Sequence, residues 1–317
     1  MALRTIATVT LNPALDEAIA IDGLVLGSTN RCGLDALDPG GKGINASRVI
    51  HRLGRTTRAL GFVGGVTGAL LRAGLDREGV PHDLDEVAEQ TRINIMVYET
   101  RSGRRTRLYL PGAAVEPDRL DALLTRLTEL GAGVVVLGGS LPPGLASTTY
   151  RELVQALRER GLRAIVDTSG AALADVLGAA PLLVKPNVEE AEALLGRELK
   201  TEGDILRAAD ELRLRGPHYV VISRGADGAI AVGPHDAWKA VPPPIEARST
   251  VGSGDSMIAG LAIALDEELP IAEGLRLGTA AGAATAANVG TRLCEPREVE
   301  RLLGDVIVQE LEAAGMT

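Results

Sequence analysis

Short apolar runs alternate with longer amphipathic stretches from residue 117 onward. The apolar runs predict buried strands at 134–137, 164–167, 182–184 and 219–222. The stretches before and between them have helical spacing and predict helices at 118–130, 148–160, 171–177 and 204–215. Apolar strands that are separated by helices are typical of a parallel sheet covered on both faces. We therefore expect an α/β fold with helices on either side of one main sheet.

The first third of the chain has a different pattern. Apolar runs at 5–11 and 59–63 predict two more strands of the main sheet. Four other segments alternate between apolar and polar residues, at 18–21, 29–38, 92–99 and 104–110. Alternation predicts strands with one exposed face, and Arg101-Ser102-Gly103 is a typical hairpin turn between the last two. These segments predict a small sheet outside the main core.

Polar, glycine-containing loops follow the predicted strands of the main sheet. They lie at 139–140, 185–187, 223–228 and 252–255. In open parallel sheets, ligands bind at the carboxyl ends of the strands. The agreement among these loops predicts one ligand site at that edge. No GxGxxG pattern follows the first strand, which argues against a nicotinamide-dependent oxidoreductase.

The most informative loop is the turn at 252–255, which precedes a predicted helix at 256–265. A glycine-rich turn at a helix start leaves backbone N–H groups free to hold an anion. Asp255 places a carboxylate in the same turn. An anion site beside a carboxylate suits phosphoryl transfer, although an ordinary capped turn has the same local pattern.

Three further features have both a functional and a structural interpretation. The glycine-rich segment 39–45 lets a ligand approach the backbone, but it is not a Walker A loop, and Lys42 taken alone is typical of a solvated charge. Arg92 is a candidate phosphate ligand or a solvated edge-strand arginine. Asn187 and Glu190 share a helix face; they could hold the hydration shell of Mg²⁺, or they are a cap and a surface acid.

Composition restricts the class of partner. The 317 residues are 45% hydrophobic and carry a formal net charge of −9, and the basic residues are scattered, so a nucleic acid partner is not expected. The segment 277–289 is short and rich in small residues, which predicts a buried helix and not a membrane span. The N-terminal residues lack a signal-peptide pattern, and Cys32 and Cys294 have no metal-ligand spacing. A reduced, cytoplasmic protein is expected.

Together the motifs resemble the PfkB, or ribokinase-like, family of carbohydrate kinases over nearly the whole chain. The motifs are TLNPALD (10–16), PGGKGIN (39–45), GSLPPG (139–144), VKPN (184–187) and STVGSGDS (249–256). PGAA (111–114), VPPP (241–244) and GTRLC (290–294) look most like the minor 6-phosphofructokinases. GKG (41–43) is also common in 1-phosphofructokinases and tagatose-6-phosphate kinases.

The resemblance implies a single ribokinase-like domain over 1–317. Its fold would be a three-layer αβα sandwich with a mainly parallel central sheet and a small β-sheet lid, formed by about 14–39 and 91–111. The lid would cover the sugar and pair two subunits into a homodimer. The implied function is an ATP-dependent, Mg²⁺-requiring kinase of fructose 6-phosphate. Kinases of fructose 1-phosphate or tagatose 6-phosphate, and a non-catalytic sugar-phosphate sensor, are the alternatives.

The resemblance also implies roles for individual residues. Asp255 would be the catalytic base, with an anion hole formed by Gly252, Ser253 and Gly254. The sugar phosphate would be held by Asp16, Gly41, Lys42, Asn45, Arg92 and Ser140. ATP and Mg²⁺ would be approached by Lys185, Asn187, Glu190, Ser223, Gly225, Gly228 and Thr250. The positions matching a family K⁺ site are Ser249, Val251, Asn288, Gly290 and Arg292.

Overall fold

The computed structural model describes residues 4–312 and contains two sheets. The large sheet has ten strands in the order β14-β13-β12-β11-β10-β9-β8-β1-β4-β5. Its strands are β1 (Ile6–Thr10), β4 (Thr57–Val63), β5 (His82–Glu86), β8 (Val134–Gly138), β9 (Arg163–Asp167), β10 (Leu183–Val184), β11 (Tyr219–Ser223), β12 (Ala229–Val232), β13 (Ala237–Val241) and β14 (Ile307–Glu310). The helices are α1 (Lys42–Arg52), α2 (Gly65–Glu78), α3 (Arg119–Glu129), α4 (Thr149–Glu159), α5 (Gly170–Leu177), α6 (Val188–Leu195), α7 (Glu202–Arg213), α8 (Ser253–Asp266), α9 (Ile271–Ala286) and α10 (Pro296–Leu303).

The seven strands from β11 to β5 pair in parallel, whereas β12, β13 and β14 extend one edge as antiparallel strands. The parallel strands are buried on both faces. In β8, Val135 and Leu137 join the core beneath α3, α4, α5 and α7, and Val134 and Val136 join the core beneath α1, α8 and α9. Side chains of successive strand residues point to opposite faces, so both layers of helices need apolar partners in every strand. The predicted three-layer αβα architecture is confirmed.

The small sheet has the strand order β3-β2-β6-β7, with β2 at Ala14–Ile21, β3 at Gly33–Gly40, β6 at Arg92–Glu99 and β7 at Arg105–Tyr109. β2 pairs in parallel with β6, while β3 and β7 pair antiparallel at the two edges. This sheet contains all four alternating segments found in the sequence. β3 ends at Gly40 and leads directly into α1, so the small sheet adjoins the ligand edge of the large one.

Some boundaries differ from those predicted. α8 begins at Ser253, three residues before the predicted start, because Gly252 supplies the turn and Ser253 already has helical geometry. The predicted buried helix at 277–289 is α9, which begins at Ile271 after Pro270 and ends at Ala286. Strands β5, β12, β13 and β14 were not predicted, since each is short and lacks a long apolar run, and β5 and β14 also lie at the edges of the sheet. No helix within residues 4–312 combines the length and the apolar character that a bilayer crossing requires.

Candidate functional site

The anion turn, residues 249–255, lies where the last segment of the chain enters α8. Gly252 has φ 78°, and a Cβ atom there would lie 2.6 Å from Cδ2 of Leu293, so glycine is required by both the backbone and its neighbour. Ser253, Gly254 and Asp255 form the first turn of the helix, where N–H groups have no carbonyl four residues earlier within the helix. The turn therefore has the geometry of an anion site.

Asp255 is the last residue of this turn and is buried, with 8% of its surface exposed. Its Oδ2 accepts a hydrogen bond of 2.8 Å from Nδ2 of Asn45 in α1. Burial, and then the negative charge of Asp167, raise the pKa of Asp255 above its ordinary value. A carboxylate with a raised pKa is a stronger base towards a hydroxyl proton, which suits general base catalysis.

A buried ionic cluster adjoins the turn. Nζ of Lys42 lies 2.7 Å from Oδ1 of Asp167, and Nζ of Lys185 lies 3.5 Å from Oδ2 of the same carboxylate. Burial opposes ionisation of Asp167, but the two ammonium groups hold its pKa below the usual value. A Cβ atom added to Gly254 would lie 3.4 Å from Nζ of Lys185, so this ammonium group stands against the anion turn. The two ammonium groups and one carboxylate give the cluster a net charge of +1, which favours a phosphate bound beside it.

Lys42 was considered typical of a solvated charge when taken alone, but the structure pairs it with a buried carboxylate while 35% of its side chain stays exposed. That carboxylate belongs to Asp167, which ends β9 within hydrogen-bonding distance of the lysine. Asp167 had no predicted role. The signal that could have identified it is its position as the last residue of an apolar strand, where ligand-side groups collect.

The residues predicted to bind the sugar phosphate meet at the junction of the two sheets. Asp16 in β2 is buried, and its Oδ1 accepts a 2.8 Å hydrogen bond from Nδ2 of Asn94 in β6. Burial raises the pKa of Asp16 to about 6. A Cβ atom at Gly40 would lie 2.2 Å from Oδ2 of Asp16, and Gly41 has φ 113°. The paired glycines thus leave room for this carboxylate and for a ligand beside it.

Arg92 has no carboxylate within 4 Å among residues 4–312. Its guanidinium donates to the backbone oxygens of Leu110 and Asn12, each at 3.0 Å, and its Nε has no acceptor. Burial lowers its pKa. A partly buried guanidinium that is fixed by carbonyl groups retains its full charge for an anionic ligand. Arg92 is half-buried and β6 is an inner strand, which does not match a solvated edge-strand arginine, while its role as a phosphate ligand stays a prediction.

Asn12 connects the residues predicted to bind the sugar phosphate to the loop after β8. Its Nδ2 donates to Oγ of Ser140 at 3.2 Å and to the backbone oxygen of Pro111 at 3.0 Å. Ser140 itself is exposed at the ligand edge. Asn12 had no predicted role, although it lies inside one of the recognised motifs, because its contacts with Pro111 and Ser140 are visible only in the folded chain.

Asn187 and Glu190 form a reciprocal capping box at the start of α6. Oδ1 of Asn187 accepts from the N–H of Glu190 at 2.8 Å, and Oε2 of Glu190 accepts from the N–H of Asn187 at 2.9 Å. The capping interpretation is therefore correct for both residues. Glu190 is half-buried, Glu189 is exposed, and the carboxylate of Glu190 still has an oxygen available for water-mediated contact with Mg²⁺.

The remaining nucleotide candidates surround the end of β11. Ser223 forms a β-bridge with Asn187, which places the two strand-end loops side by side. Gly225 begins one turn of 3₁₀ helix, and Gly228 has φ 82° and sits too close to the carbonyl oxygen of Ala240 to carry a Cβ. The hydroxyl of Thr250 accepts a hydrogen bond from Arg107, a contact that was not predicted.

The five K⁺ candidates lie on two chain segments, 249–251 in the anion turn and 288–292 after α9. Oγ of Ser249 donates to the backbone oxygen of Gly290 at 2.7 Å and accepts from the N–H of Val251 at 3.3 Å. Nδ2 of Asn288 donates to the backbone oxygen of Leu293 at 3.3 Å, whereas Arg292 is exposed. The segments are held together, and carbonyl oxygens are the ligand type that such an ion would need.

Comparison with known proteins agrees with this geometry. Residues 9–298 match the pfkB family carbohydrate kinase domain. The chain is 38% identical over 300 residues to the ATP-dependent 6-phosphofructokinase isozyme 2 of Escherichia coli (strain K12), covering 94% of this chain and 97% of the relative. It is 37% identical over 314 residues to the 1-phosphofructokinase of Rhodobacter capsulatus, covering 98% and 99%.

Solved structures show the same similarity. The crystal structure of phosphofructokinase-2 from Escherichia coli in complex with potassium superposes with a TM-score of 0.90 at 38% identity, covering 96% of this chain and 99% of that one. A possible 1-phosphofructokinase from Thermotoga maritima superposes with a TM-score of 0.87 at 27% identity, covering 98% and 100%. The resemblance inferred from the sequence motifs is confirmed.

Proposed function

Because the chain belongs to the pfkB family of carbohydrate kinases and is an ATP-dependent sugar kinase, we propose that it phosphorylates fructose 6-phosphate to fructose 1,6-bisphosphate. The observation that carries the proposal is the buried Asp255 at the end of the anion turn, bonded to Asn45 and flanked by the ammonium groups of Lys42 and Lys185. This arrangement places a base, an anion site and positive charge together. Phosphoryl transfer needs these three elements.

In the proposed reaction, the primary hydroxyl of the acceptor gives its proton to a carboxylate oxygen of Asp255. The acceptor oxygen forms a bond with the γ-phosphorus of ATP, and the bond from that phosphorus to the β,γ-bridging oxygen breaks, releasing ADP. The N–H groups of Gly252, Ser253 and Gly254 face the transferring phosphoryl group. Lys185 offsets its negative charge, since its ammonium group stands against Gly254.

The acceptor side of the site fits a phosphorylated sugar. Arg92 offers a guanidinium with no competing carboxylate, and Ser140 offers an exposed hydroxyl on the same side, connected through Asn12. Asp16 can accept hydrogen bonds from sugar hydroxyls, as can the amide of Asn45. The paired glycines at 40 and 41 allow the ring to approach the backbone.

The donor side fits ATP with a divalent cation. Glu190 and Asn187 would hold Mg²⁺ through its water ligands, and the ion would neutralise charge on the β- and γ-phosphates. Ser223, Gly225, Gly228 and Thr250 would contact the nucleotide beside them. We also propose a K⁺ ion behind the anion turn, held through Ser249, Val251, Asn288, Gly290 and Arg292.

The small sheet is proposed as a lid over the sugar and as the surface of a homodimer. The sheet carries large exposed apolar side chains, which are Leu34 and Leu37 in β3, Tyr98 in β6, and Leu108 and Tyr109 in β7. Tyr98 and Tyr109 lie on the same face, since Tyr98 pairs with Arg105 and residues 105 and 109 share a face of β7. Exposed aromatic side chains on one face of the sheet support its proposed role as an interaction surface. Closure of the lid would exclude water and protect ATP from hydrolysis. Cytoplasmic localisation is proposed because the chain has two cysteines without paired or metal-ligand spacing, which is typical of a protein in a reducing compartment.

The experiment compares acceptors with purified protein, Mg²⁺-ATP and K⁺, measuring ADP release. Fructose 6-phosphate, fructose 1-phosphate, tagatose 6-phosphate and fructose are assayed at matched low concentrations. A kcat/KM highest for fructose 6-phosphate supports the proposal. A preference for fructose 1-phosphate would keep the mechanism and assign the acceptor of the 1-phosphofructokinase relatives. Absence of turnover on every acceptor would leave a non-catalytic sugar-phosphate sensor as the explanation.

A further inference from the structure

The outermost strand of the small sheet, β7, carries two arginines that cross to the segment leading into the anion turn. Arg105 and Arg107 are two residues apart and therefore point to the same face of the strand. Nη2 of Arg107 donates to Oγ1 of Thr250 at 3.2 Å, and Nη2 of Arg105 donates to the backbone oxygen of Arg248. These contacts join residues 143 positions apart in the chain. They connect the small sheet to the donor side of the site.

Neither arginine has a carboxylate partner within 4 Å among residues 4–312. The chain has 42 acidic residues for 33 basic ones, so unpaired arginines are not expected from composition. Neighbouring arginines of the same sheet are paired, Arg101 with Asp22 and Arg104 with Glu99. Arg105 lies over the ring of Tyr98, 5.8 Å from its centre. Arg107 has only the neutral hydroxyl of Thr250.

The position of Thr250 places Arg107 at the rim of the anion turn. The backbone oxygen of Thr250 accepts from the N–H of Ser253, the first residue of α8, at 3.4 Å. A guanidinium has five N–H donors in one plane, so Arg107 can keep its bond to Thr250 and still donate to a phosphate oxygen in front of the turn.

We propose that Arg107 is a catalytic residue that binds the phosphate chain of ATP and stabilises the transferring phosphoryl group. This inference rests on the proposed function of the site. Arg107 acts only as a hydrogen-bond donor, so the proton still passes from the acceptor hydroxyl to Asp255 and ADP still leaves. Arg107 belongs to the proposed lid, so it reaches the phosphate only when the lid is closed over the sugar. Phosphoryl transfer then depends on the presence of the sugar.

The first test compares Arg107→Met with Arg107→Lys and a matched control, Arg101→Met. The control removes the same charge from the turn between β6 and β7, at an exposed ion pair with Asp22. We expect Arg107→Met to lower kcat for fructose 6-phosphate about tenfold to hundredfold, as for loss of one transition-state donor, with little change in the KM of the sugar. Arg107→Lys should recover part of the loss. A kcat equal to that of Arg101→Met would overturn the inference.

The second test separates contact with phosphate from a structural role through Thr250. If Arg107 touches the nucleotide, Arg107→Met in a Thr250→Val background should still lower kcat by the same factor as in the wild type. If the arginine acts only by holding Thr250, the second substitution will have no further effect, and the inference is wrong.

The third test does not depend on turnover. Calorimetry measures binding of Mg²⁺ with the β,γ-imido analogue of ATP, in the presence of fructose 6-phosphate. Arg107→Met should weaken binding about threefold or more, the loss of one exposed charge-assisted hydrogen bond, while Arg101→Met should not. If wild-type protein turns over none of the sugars, the proposed function fails, and this measurement alone decides the role of Arg107. Equal affinities would overturn it.

Discussion

Nδ2 of Asn45 lies 2.8 Å from Oδ2 of Asp255, which joins the starts of two helices that are 210 residues apart in the chain. Asn45 is the fourth residue of α1, directly after the glycine-rich segment, and Asp255 is the third residue of α8. The hydrogen bond fixes the carboxylate in one rotamer and favours its charged form. It thereby links the acceptor loop to the group proposed to deprotonate the acceptor.

Replacing Asp255 tests the base directly. Asp255→Ala should lower kcat by about a thousandfold or more, because the hydroxyl proton loses its acceptor, while the KM for ATP changes little. Steady-state ADP release at saturating substrates gives the measurement. Asp255→Asn keeps the shape and the contact with Asn45, so equal losses in the two variants would attribute the effect to the lost charge. Wild-type turnover in Asp255→Asn would remove this residue from the base role.

Asn45→Ala tests the hydrogen bond from α1. The donor lowers the pKa of Asp255, so its loss should raise that pKa further above the ordinary value. Asp255 must be ionised to accept a proton, and the acidic limb of the kcat–pH profile should therefore move to higher pH. Because kcat is measured at saturating sugar, weaker sugar binding by the variant does not shift this limb. A limb at the wild-type position would show that Asn45 does not tune the base.

Arg92→Ala tests the phosphate ligand. We expect the KM for fructose 6-phosphate to rise about tenfold to hundredfold, the loss of one to two charge-assisted hydrogen bonds, with a smaller change in kcat. Weak turnover of fructose, which has no phosphate, provides the internal control and should be unaffected. Since Arg92 also holds the backbone oxygens of Asn12 and Leu110, the thermal midpoint is measured alongside. An unchanged KM would mean that another basic group holds the phosphate.

Asp16 predicts a pH dependence of stability. Burial raises its pKa to about 6 in the folded protein, from an ordinary value of 3.8, so the folded state binds more protons between these two pH values. Its contribution to the free energy of unfolding is therefore present below pH 4 and is lost as the pH rises to about 6, by about 3 kcal/mol. Asp16→Asn should unfold with a flatter pH dependence and be more stable at pH 7, yet bind the sugar less well. Urea unfolding at several pH values measures this, and an unaltered pH dependence would contradict it.

Asp167→Asn tests the buried ionic cluster. The substitution keeps the volume but leaves Lys185, whose side chain is 5% exposed, without its countercharge. We expect the free energy of unfolding to fall by about 3 kcal/mol, as for a buried ion pair that loses one partner. Lys42→Met should cost less, because Asp167 would still pair with Lys185. The double variant Lys42→Met/Asp167→Asn is measured as well. If its loss in the free energy of unfolding equals the sum of the two single losses, Lys42 and Asp167 do not interact.

Most of the fold was predictable because the central strands are apolar on both faces. β8, β9 and β11 lie within one residue of their predicted bounds, since a buried parallel strand has no polar positions to obscure its ends. β12, β13 and β14 form the antiparallel end of the sheet, where the signal is weakened by the short length of β12 and by the partly or fully exposed positions of β13 and β14. The start of α8 was placed late because Ser253 and Gly254 have poor helix propensity, and the geometry of the turn overrides it.

Site residues with a local signal were predictable, and those defined by long-range contacts were not. Asp255 and Asn187 occupy helix starts next to glycine or proline, which the sequence displays. The partners of Lys42 and Arg92 lie 125 and 80 residues away, so their environments followed only from the folded chain. Arg107 is one of several arginines in an exposed strand, and nothing local distinguishes it from Arg104 or Arg105.

The strand order of the large sheet divides the chain into an earlier part, which holds most residues proposed to bind the sugar, and a later part, which holds most residues proposed to bind ATP. The order reverses between β1 and β8, and the site lies at the ends of the strands on either side of that point. Most residues proposed for the acceptor, such as Asp16, Asn45 and Arg92, precede this division in sequence, and most of those proposed for the donor, such as Lys185, Glu190 and Thr250, follow it. Ser140 and Arg107 are the exceptions. Sugar preference can therefore diverge through changes in the first third of the chain while the phosphate donor stays the same. Related kinases can in this way differ in the sugar that they phosphorylate while they keep the same residues for phosphoryl transfer.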